Sequence, residues 1–149
     1  MFRELLASEF QPYSSLTPHQ LDLLERHFNL LLAWNKRLNL TRITDTEEAV
    51  RLHYCESLYL GLKLPEGPLS VADLGSGAGF PGVPIAILRP DLQVTLIESN
   101  QRKAVFLREA ARDLPNVRVL AVRFEDCRER FDWVVSRAVQ FAEDQSNLV

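Results

Sequence analysis

Cysteine is scarce: Cys55 and Cys127 are the only two in 149 residues, far apart and without C-x-x-C spacing. That excludes a zinc knuckle or a redox pair and leaves two reduced, structural thiols. The three histidines, His19, His27 and His53, form no H-E-x-x-H pattern and have no clustered acid beside them, so no bound metal is expected. No apolar run approaches the ~20 residues that a membrane helix needs. The opening Met1-Phe2-Arg3-Glu4 also lacks the charged-then-apolar layout of a signal peptide. A cytoplasmic protein with no membrane partner is expected. Excess positive charge is missing too, since the formal net charge is −3. This excludes a globally basic nucleic-acid binder but leaves local basic patches open.

What is present suits one compact domain, because 46% hydrophobic and 25% charged residues supply both a core and a solvated surface. Residues 1–64 read as a helical N-terminal segment. A short apolar piece around Leu5, Leu6 and Phe10 stops near Pro12. Thr17-Pro18-His19-Gln20 then joins an N-cap threonine, a proline at the first helical position and a glutamine three residues after the cap, a capping box. The helix that follows buries Leu21, Leu24, Phe28 and Leu31 at spacings of three and four. It ends in the basic run Lys36-Arg37 with Arg42 beyond, cations that the helix dipole alone would favour there. A second box, Thr44-Asp45-Thr46-Glu47, predicts a helix with Val50, Leu52, Leu58 and Leu60 inward as far as Gly61.

Pro65-Glu66-Gly67-Pro68 breaks the helical period, and residues 65–138 read as a partial Rossmann-like domain. The apolar runs Leu69–Leu74, Leu92–Ile97, Val117–Val122 and Phe131–Val135 alternate with helix-like stretches. This is the pattern of buried parallel strands in an α/β, doubly wound sheet.

The first strand enters Asp73-Leu74-Gly75-Ser76-Gly77-Ala78-Gly79-Phe80-Pro81-Gly82. Glycines there permit positive φ and let a ligand approach bare backbone at the carboxyl end of a strand, where open α/β sheets bind ligands. Gly77, Gly79 and Gly82 also satisfy G-x-G-x-x-G, so a nicotinamide or flavin dinucleotide is one candidate. A pyrophosphate needs free N–H groups at the helix start, and Pro81 and Pro84 each remove one. S-adenosylmethionine carries no phosphate and tolerates a donor-poor turn. Asp73 suits that ligand, and Glu98 at the end of the second strand suits the ribose hydroxyls of either cofactor. Each acid also has a purely structural alternative: Asp73 capping nearby backbone, and Glu98 serving the helix that starts near Asn100.

At these residues the sequence resembles class I methyltransferases, and specifically the bacterial small-subunit (16S) ribosomal RNA guanine-N7 methyltransferases, the glucose-inhibited division protein B family. The resemblance rests on Trp34-Asn35-Lys36, Asn39-Leu40-Thr41, His53 with Ser57-Leu58, and the glycine segment through Phe80-Pro81-Gly82. It continues through Glu98-Ser99, Arg102-Lys103, Phe106-Leu107, Arg123 with Glu125, and Ser136-Arg137-Ala138. The resemblance implies a cofactor site for S-adenosyl-L-methionine made by Asp73, Gly75, Ser76, Gly77, Gly79, Phe80, Glu98, Ser99, Phe124, Glu125 and Arg137. Phe124 and Glu125 would flank the adenine. Lys36, Arg37, Arg42 and Arg137 would contact the RNA, with the ribosomal RNA or small subunit as partner; an equal alternative for Arg137 is an ion pair with Asp132. No catalytic base is expected, because guanine N7 attacks with an in-plane lone pair and carries no proton.

The motif resemblance stops after Ala138, and residues 139–149 read as a polar, frayed or atypical tail. The family's sheet has seven strands, of which four are legible, so a C-terminally truncated relative is expected, with reduced cofactor affinity and turnover in doubt. The resemblance implies a monomer, while an uncovered fourth strand would offer an edge for self-association. Three functions stay open: the methyltransferase, a non-catalytic RNA-binding module or fold remnant, and a dinucleotide-dependent oxidoreductase.

Overall fold

The computed structural model describes residues 1–137; the expected tail at 139–149 lies outside the described residues. A helical layer comes first. α1 (Phe2–Phe10) buries Phe2, Leu6 and Phe10. α2 (Pro18–Asn35) starts with both halves of the predicted capping box, Thr17 accepting from the Gln20 N–H and Gln20 accepting from the Thr17 N–H. Its buried stripe is Leu24, His27, Phe28 and Leu31. The stripe therefore includes a histidine that hydropathy alone places on the polar side.

The second capping signal is displaced by one residue. Asp45, not Thr44, is the cap of α3 (Thr46–Ala49), its carboxylate accepting from the Glu48 N–H at 3.1 Å. α3 runs into a π-helical turn, Val50–Cys55, and then α4 (Glu56–Lys63). The wider turn adds to each repeat and rotates the inward face. Leu52, expected inside, is 42% exposed, while His53 and Tyr54 take its place in the interior.

Four parallel strands follow: β1 (Leu69–Leu74), β2 (Leu92–Ile97), β3 (Val117–Leu120) and β4 (Trp133–Ser136), in the order β3-β2-β1-β4. α5 (Gly82–Leu88) and α6 (Gln101–Ala110) make the crossovers to β2 and β3. Leu74 pairs with both Ile97 and Ser136, and Ile97 with Leu120, so all four strands end on one line. β3 stops at Leu120 rather than Val122 because β2 offers no further rung. The chain then turns through a single 3-10 turn at Phe124–Asp126. β4 begins two residues later than expected and extends to Ser136.

One hydrophobic cluster runs from Phe2, Phe28 and Tyr54 of the helical layer to Val71, Leu96 and Phe106 of the sheet and α6. Two arginines fasten the layers. Arg26 on α2 donates to the Glu109 and Ala110 carbonyls at the end of α6, each at 3.2 Å, a favourable place for a cation. Arg89 donates to the Gly61 and Leu64 carbonyls at 2.9 and 2.8 Å, tying the end of α4 to the end of α5. At the sheet's outer side, Trp133 and Val134 of β4 are about half exposed. No described helix is long and apolar enough to cross a membrane.

Candidate cofactor pocket at the strand ends

The turn after β1 is built from glycines in the left-handed region: Gly75 at φ 64°, Gly77 at φ 55° and Gly79 at φ 98°. Other L-residues pay roughly 1–2 kcal/mol for that conformation. Five of the seven N–H groups from Gly75 to Gly82 are spent inside the protein. Gly75 and Ser76 N–H groups donate to the Ile97 carbonyl at 2.8 and 3.2 Å, and Gly79 N–H to the Ser76 carbonyl at 2.7 Å. Gly77 N–H donates to Glu98 Oε1 at 2.7 Å, and Gly82 N–H to Asp73 Oδ2 at 2.9 Å. Pro81 and Pro84 have no N–H to give. Only the Ala78 and Phe80 N–H groups of this stretch lack an acceptor, fewer than a pyrophosphate cradle uses, and a buried carboxyl already sits at the start of α5.

That carboxyl, Asp73, is fully buried. Burial pushes it up to about 8, against the lowering effect of the Gly82 N–H, with Glu98 adding to the rise. Its Oδ1 is the one buried side-chain polar atom among the described residues without a hydrogen-bond partner. Raised to about 8, Asp73 is mostly protonated at neutral pH; a cation beside it would favour its ionised form and an anion would oppose it. The residues present therefore fit a sulfonium-bearing nucleoside better than a dinucleotide.

A cavity of about 750 Å³ opens at the strand ends, within the range that takes a nucleoside-sized ligand. Of the residues expected at the cofactor, Gly75, Ser76, Gly77, Phe80, Ser99, Phe124, Glu125 and Arg137 line it. Asp73, Gly79 and Glu98 do not. Asp73 lies beneath the turn, Gly79 packs toward Val83 and His27, and Glu98 braces the backbone. Glu98 Oε1 holds Gly77 and its Oε2 accepts from the Asn100 N–H at 2.9 Å, so the structural alternative for this acid is realised. Each carboxylate oxygen still has a lone pair to offer. At the rim Arg123 pairs with Glu125 and holds its carboxyl below the usual range.

Sequence reasoning did not place eight of the residues that line the cavity, Leu40, His53 and Val122 among them. His53 is flat against Phe80, ring centroids 4.2 Å apart and planes 10° from parallel. Burial, then the charges of Arg137 and His27, lower it to about 3, so it is neutral. Phe80 is also met edge-on by His27 and Tyr54. His27 is itself buried and lowered to about 4, by burial first. Because a carbonyl can only accept, His27 Nε2–H donates to Ala78 O at 2.9 Å, and its Nδ1 accepts from the Tyr54 hydroxyl at 2.7 Å. The membership of His53 in a sequence motif was the available signal there; for His27 it was the position three after Leu24 and four before Leu31, on the buried stripe.

The residues expected to touch RNA divide. Arg137 lines the cavity and bonds to His53 and to the Leu52 carbonyl. It does not pair with Asp132, whose carboxylate instead accepts from the Ser70 N–H at 2.8 Å. Lys36 and Arg37 line a second hollow of about 550 Å³ together with Trp34, Leu38, Arg102 and Val105. Arg42 is exposed and lines neither. Among the described residues no carboxylate lies within 4 Å of Lys36, Arg37 or Arg102. Lys36 is the C-cap of α2, where the dipole favours it. Arg102 and Lys103 sit in the first turn of α6, where the dipole opposes a cation.

A parallel sheet in this order, with a donor-poor glycine turn and a cavity at its carboxyl rim, defines a Rossmann-like class I methyltransferase fold. A solved precorrin-6y C5,15-methyltransferase from Geobacter metallireducens shares it with a TM-score of 0.51 at 18% identity, over 76% of this chain and 61% of that one; this is likeness of fold alone. The chain belongs to the GidB family, described as rRNA small subunit methyltransferase G, whose profile matches residues 20–149. The match thus extends past Ala138, where the motif resemblance stops. Among curated relatives, a ribosomal RNA small subunit methyltransferase G of Roseiflexus sp. is 46% identical over 132 residues, 83% of this chain and 56% of its own length. One of Chromobacterium violaceum is 45% identical over 127 residues, 83% of this chain and 60% of its own length. The chain spans a little over half the length of these relatives.

Proposed function

We propose that the chain binds S-adenosyl-L-methionine in the cavity at the strand ends and transfers its methyl group to guanine N7 of small-subunit ribosomal RNA in the cytoplasm. The observation that carries this reading is the glycine turn, most of whose N–H groups are spent within the protein, above an orphaned acid. In this reading Gly75, Ser76, Gly77 and Phe80 form the wall against the amino-acid and sulfonium end, and Phe124 and Glu125 the adenine end. Glu98, placed at the end of β2 with lone pairs to spare, accepts from the ribose. Asp73 and Gly79 act behind the wall, one by ionising toward the bound sulfonium and one by shape.

The cofactor supplies an electrophilic methyl carbon: guanine N7 donates its lone pair to it, the carbon–sulfur pair returns to sulfur, and no proton moves. The protein's part is therefore alignment and exclusion of water, without a general base. Arg137 suits the guanine O6 beside N7, since guanidinium donates to that edge of the base. The unpaired cations of the second hollow, Lys36, Arg37 and Arg102, with Arg42 nearby in sequence, supply phosphate contacts that hold the strand. The reading takes the chain as a monomer in solution, with the β4 edge as the surface where copies would meet if they do.

The test is labelled methyl transfer to small ribosomal subunits and to their naked RNA, followed by mapping of the modified base. Methyl label at guanine N7 supports the reading. Cofactor binding without transfer to either substrate makes the chain a non-catalytic member of its family.

A further inference from the structure

Three stretches of the sequence motif, at Asn35, at Thr41 and at His53, have no part in the roles assigned so far, yet they form one hydrogen-bonded chain that ends in the cavity. The Asn35 side chain holds the loop after α2 from both sides. Its Oδ1 accepts from the Leu40 and Thr41 N–H groups at 2.9 and 3.0 Å, and its Nδ2 donates to the Thr41 carbonyl at 3.0 Å. Thr41 Oγ1, so placed, accepts from the Ile43 N–H at 3.0 Å and stands 2.8 Å from His53 Nε2. On the far side of the ring His53 Nδ1 meets a terminal nitrogen of Arg137. A guanidinium only donates, so Nδ1 accepts, the ring proton lies on Nε2, and it is donated to Thr41. The second terminal nitrogen of Arg137 donates to the Leu52 carbonyl, in the π-helical turn, at 2.6 Å. The guanidinium rests over the Phe80 ring, 5.4 Å from its centroid.

We infer that His53 is a positioning residue for Arg137: through Asn35 and Thr41 it fixes an imidazole acceptor that, with the Leu52 carbonyl, aims the guanidinium into the cavity without cancelling its charge. Both anchors are neutral, and none of the described carboxylates lies within 4 Å of Arg137. A carboxylate at position 53 would hold the arginine as firmly but would neutralise it. Two of the five guanidinium N–H groups are spent on the anchors, and the rest are left for an RNA acceptor. This explains why the helical layer and the strand-end loop carry motif residues on opposite sides of one cavity. The inference rests on the methyl-transfer reading of that cavity, in which Arg137 meets the base.

The test compares His53→Phe, which keeps an aromatic plate on Phe80 but offers no acceptor, with His53→Asn, whose amide oxygen stands near the place of Nδ1. Methyl transfer to small ribosomal subunits should fall about 100-fold in kcat/KM for His53→Phe, the scale expected when a reacting geometry is lost. S-adenosylmethionine affinity should stay within about threefold, and His53→Asn should recover most of the transfer. In an Arg137→Ala background His53→Phe should add less than about twofold. Undiminished transfer in His53→Phe, no rescue by asparagine, or the same loss with and without Arg137 would each overturn the inference. Nitrogen-15 spectra of the Arg137 side chain report independently of activity. Separate terminal-nitrogen signals in the parent that average in His53→Phe support the positioning role, and signals averaged in both overturn it. A parent that neither binds the cofactor nor transfers methyl defeats the reading of the cavity while leaving this spectral test intact.

Discussion

His27 on α2 donates from Nε2 to the carbonyl of Ala78, 2.9 Å away in the glycine turn. The helical layer thus reaches the cofactor wall by a buried hydrogen bond as well as by the rings of His53 and Tyr54 on Phe80, and the tautomer is fixed because Tyr54 donates to the other nitrogen. Burial lowers His27 to about 4, below the ordinary value near 6.5. A histidine held neutral in the fold contributes stability that is fully present above its unfolded value and is lost as pH falls toward the folded one. The contribution of His27, read as the difference in chemical denaturation between the parent and a His27 variant, should therefore decline from about pH 6.5 to about pH 4, a window drawn from that shift. His27→Gln should be less stable at pH 7, by about 1–3 kcal/mol for the lost buried hydrogen bond, and the difference should narrow across that window. A difference that stays constant with pH would contradict this. Asp73, raised to about 8, acts in the opposite sense. Its contribution is complete below its unfolded value near 4 and is lost as pH rises toward 8.

Gly75 and Gly82 have separate reasons to lack a side chain. A Cβ on Gly75 meets nothing within 4 Å, so alanine there is opposed by its φ of 64° alone and would project into the cavity. Gly75→Ala should cost about 1–2 kcal/mol in stability and weaken S-adenosylmethionine binding about tenfold, or about 1.4 kcal/mol. A Cβ on Gly82 would stand 2.4 Å from Leu96 Cδ2 and 2.6 Å from Asp73 Oδ2. Gly82→Ala should therefore destabilise through overpacking, by about 1–3 kcal/mol. Thermal melts with and without cofactor separate the two. Equal losses of affinity per degree of melting would show that the two glycines share one role.

The second hollow predicts an ionic signature. If Lys36 and Arg102 each neutralise one RNA phosphate, alanine at either should reduce the slope of log K against log salt by about 0.7 for a single-stranded target. Cofactor affinity should be unmoved. Filter binding of small-subunit RNA across a salt series measures this, and a slope that stays at the parent value would empty the hollow of its assigned partner.

Much of this was legible in the chain because the relevant signals are local. The Thr17 to Gln20 box, the strand runs ending at Leu74 and Ile97, and the glycine turn each depend on neighbours in sequence, and they stand where those neighbours put them. The π-helical turn at Val50–Cys55 was not legible, because no pattern of hydropathy distinguishes it from a continuing α-helix. One misplaced turn exchanged Leu52 for His53 and Tyr54 in the interior. Asp73 and Glu98 were rightly located at strand ends, yet the direction of a short acidic side chain is decided by which backbone N–H it finds first. Those N–H groups belong to Gly82, Gly77 and Asn100. The bond between His53 and Arg137 joins residues 84 positions apart, a distance over which a single sequence carries no pairing signal.

The central claim is the identity of the ligand at the carboxyl rim of the sheet. Calorimetric titration of the full chain with S-adenosylmethionine, repeated in the presence of excess NADH, tests it most directly. The account predicts that one cofactor molecule binds per chain, that S-adenosylhomocysteine competes with it, that NADH does not, and that Gly75→Ala weakens binding. Tight NADH binding that displaces S-adenosylmethionine, or no binding of S-adenosylmethionine at all, would contradict it.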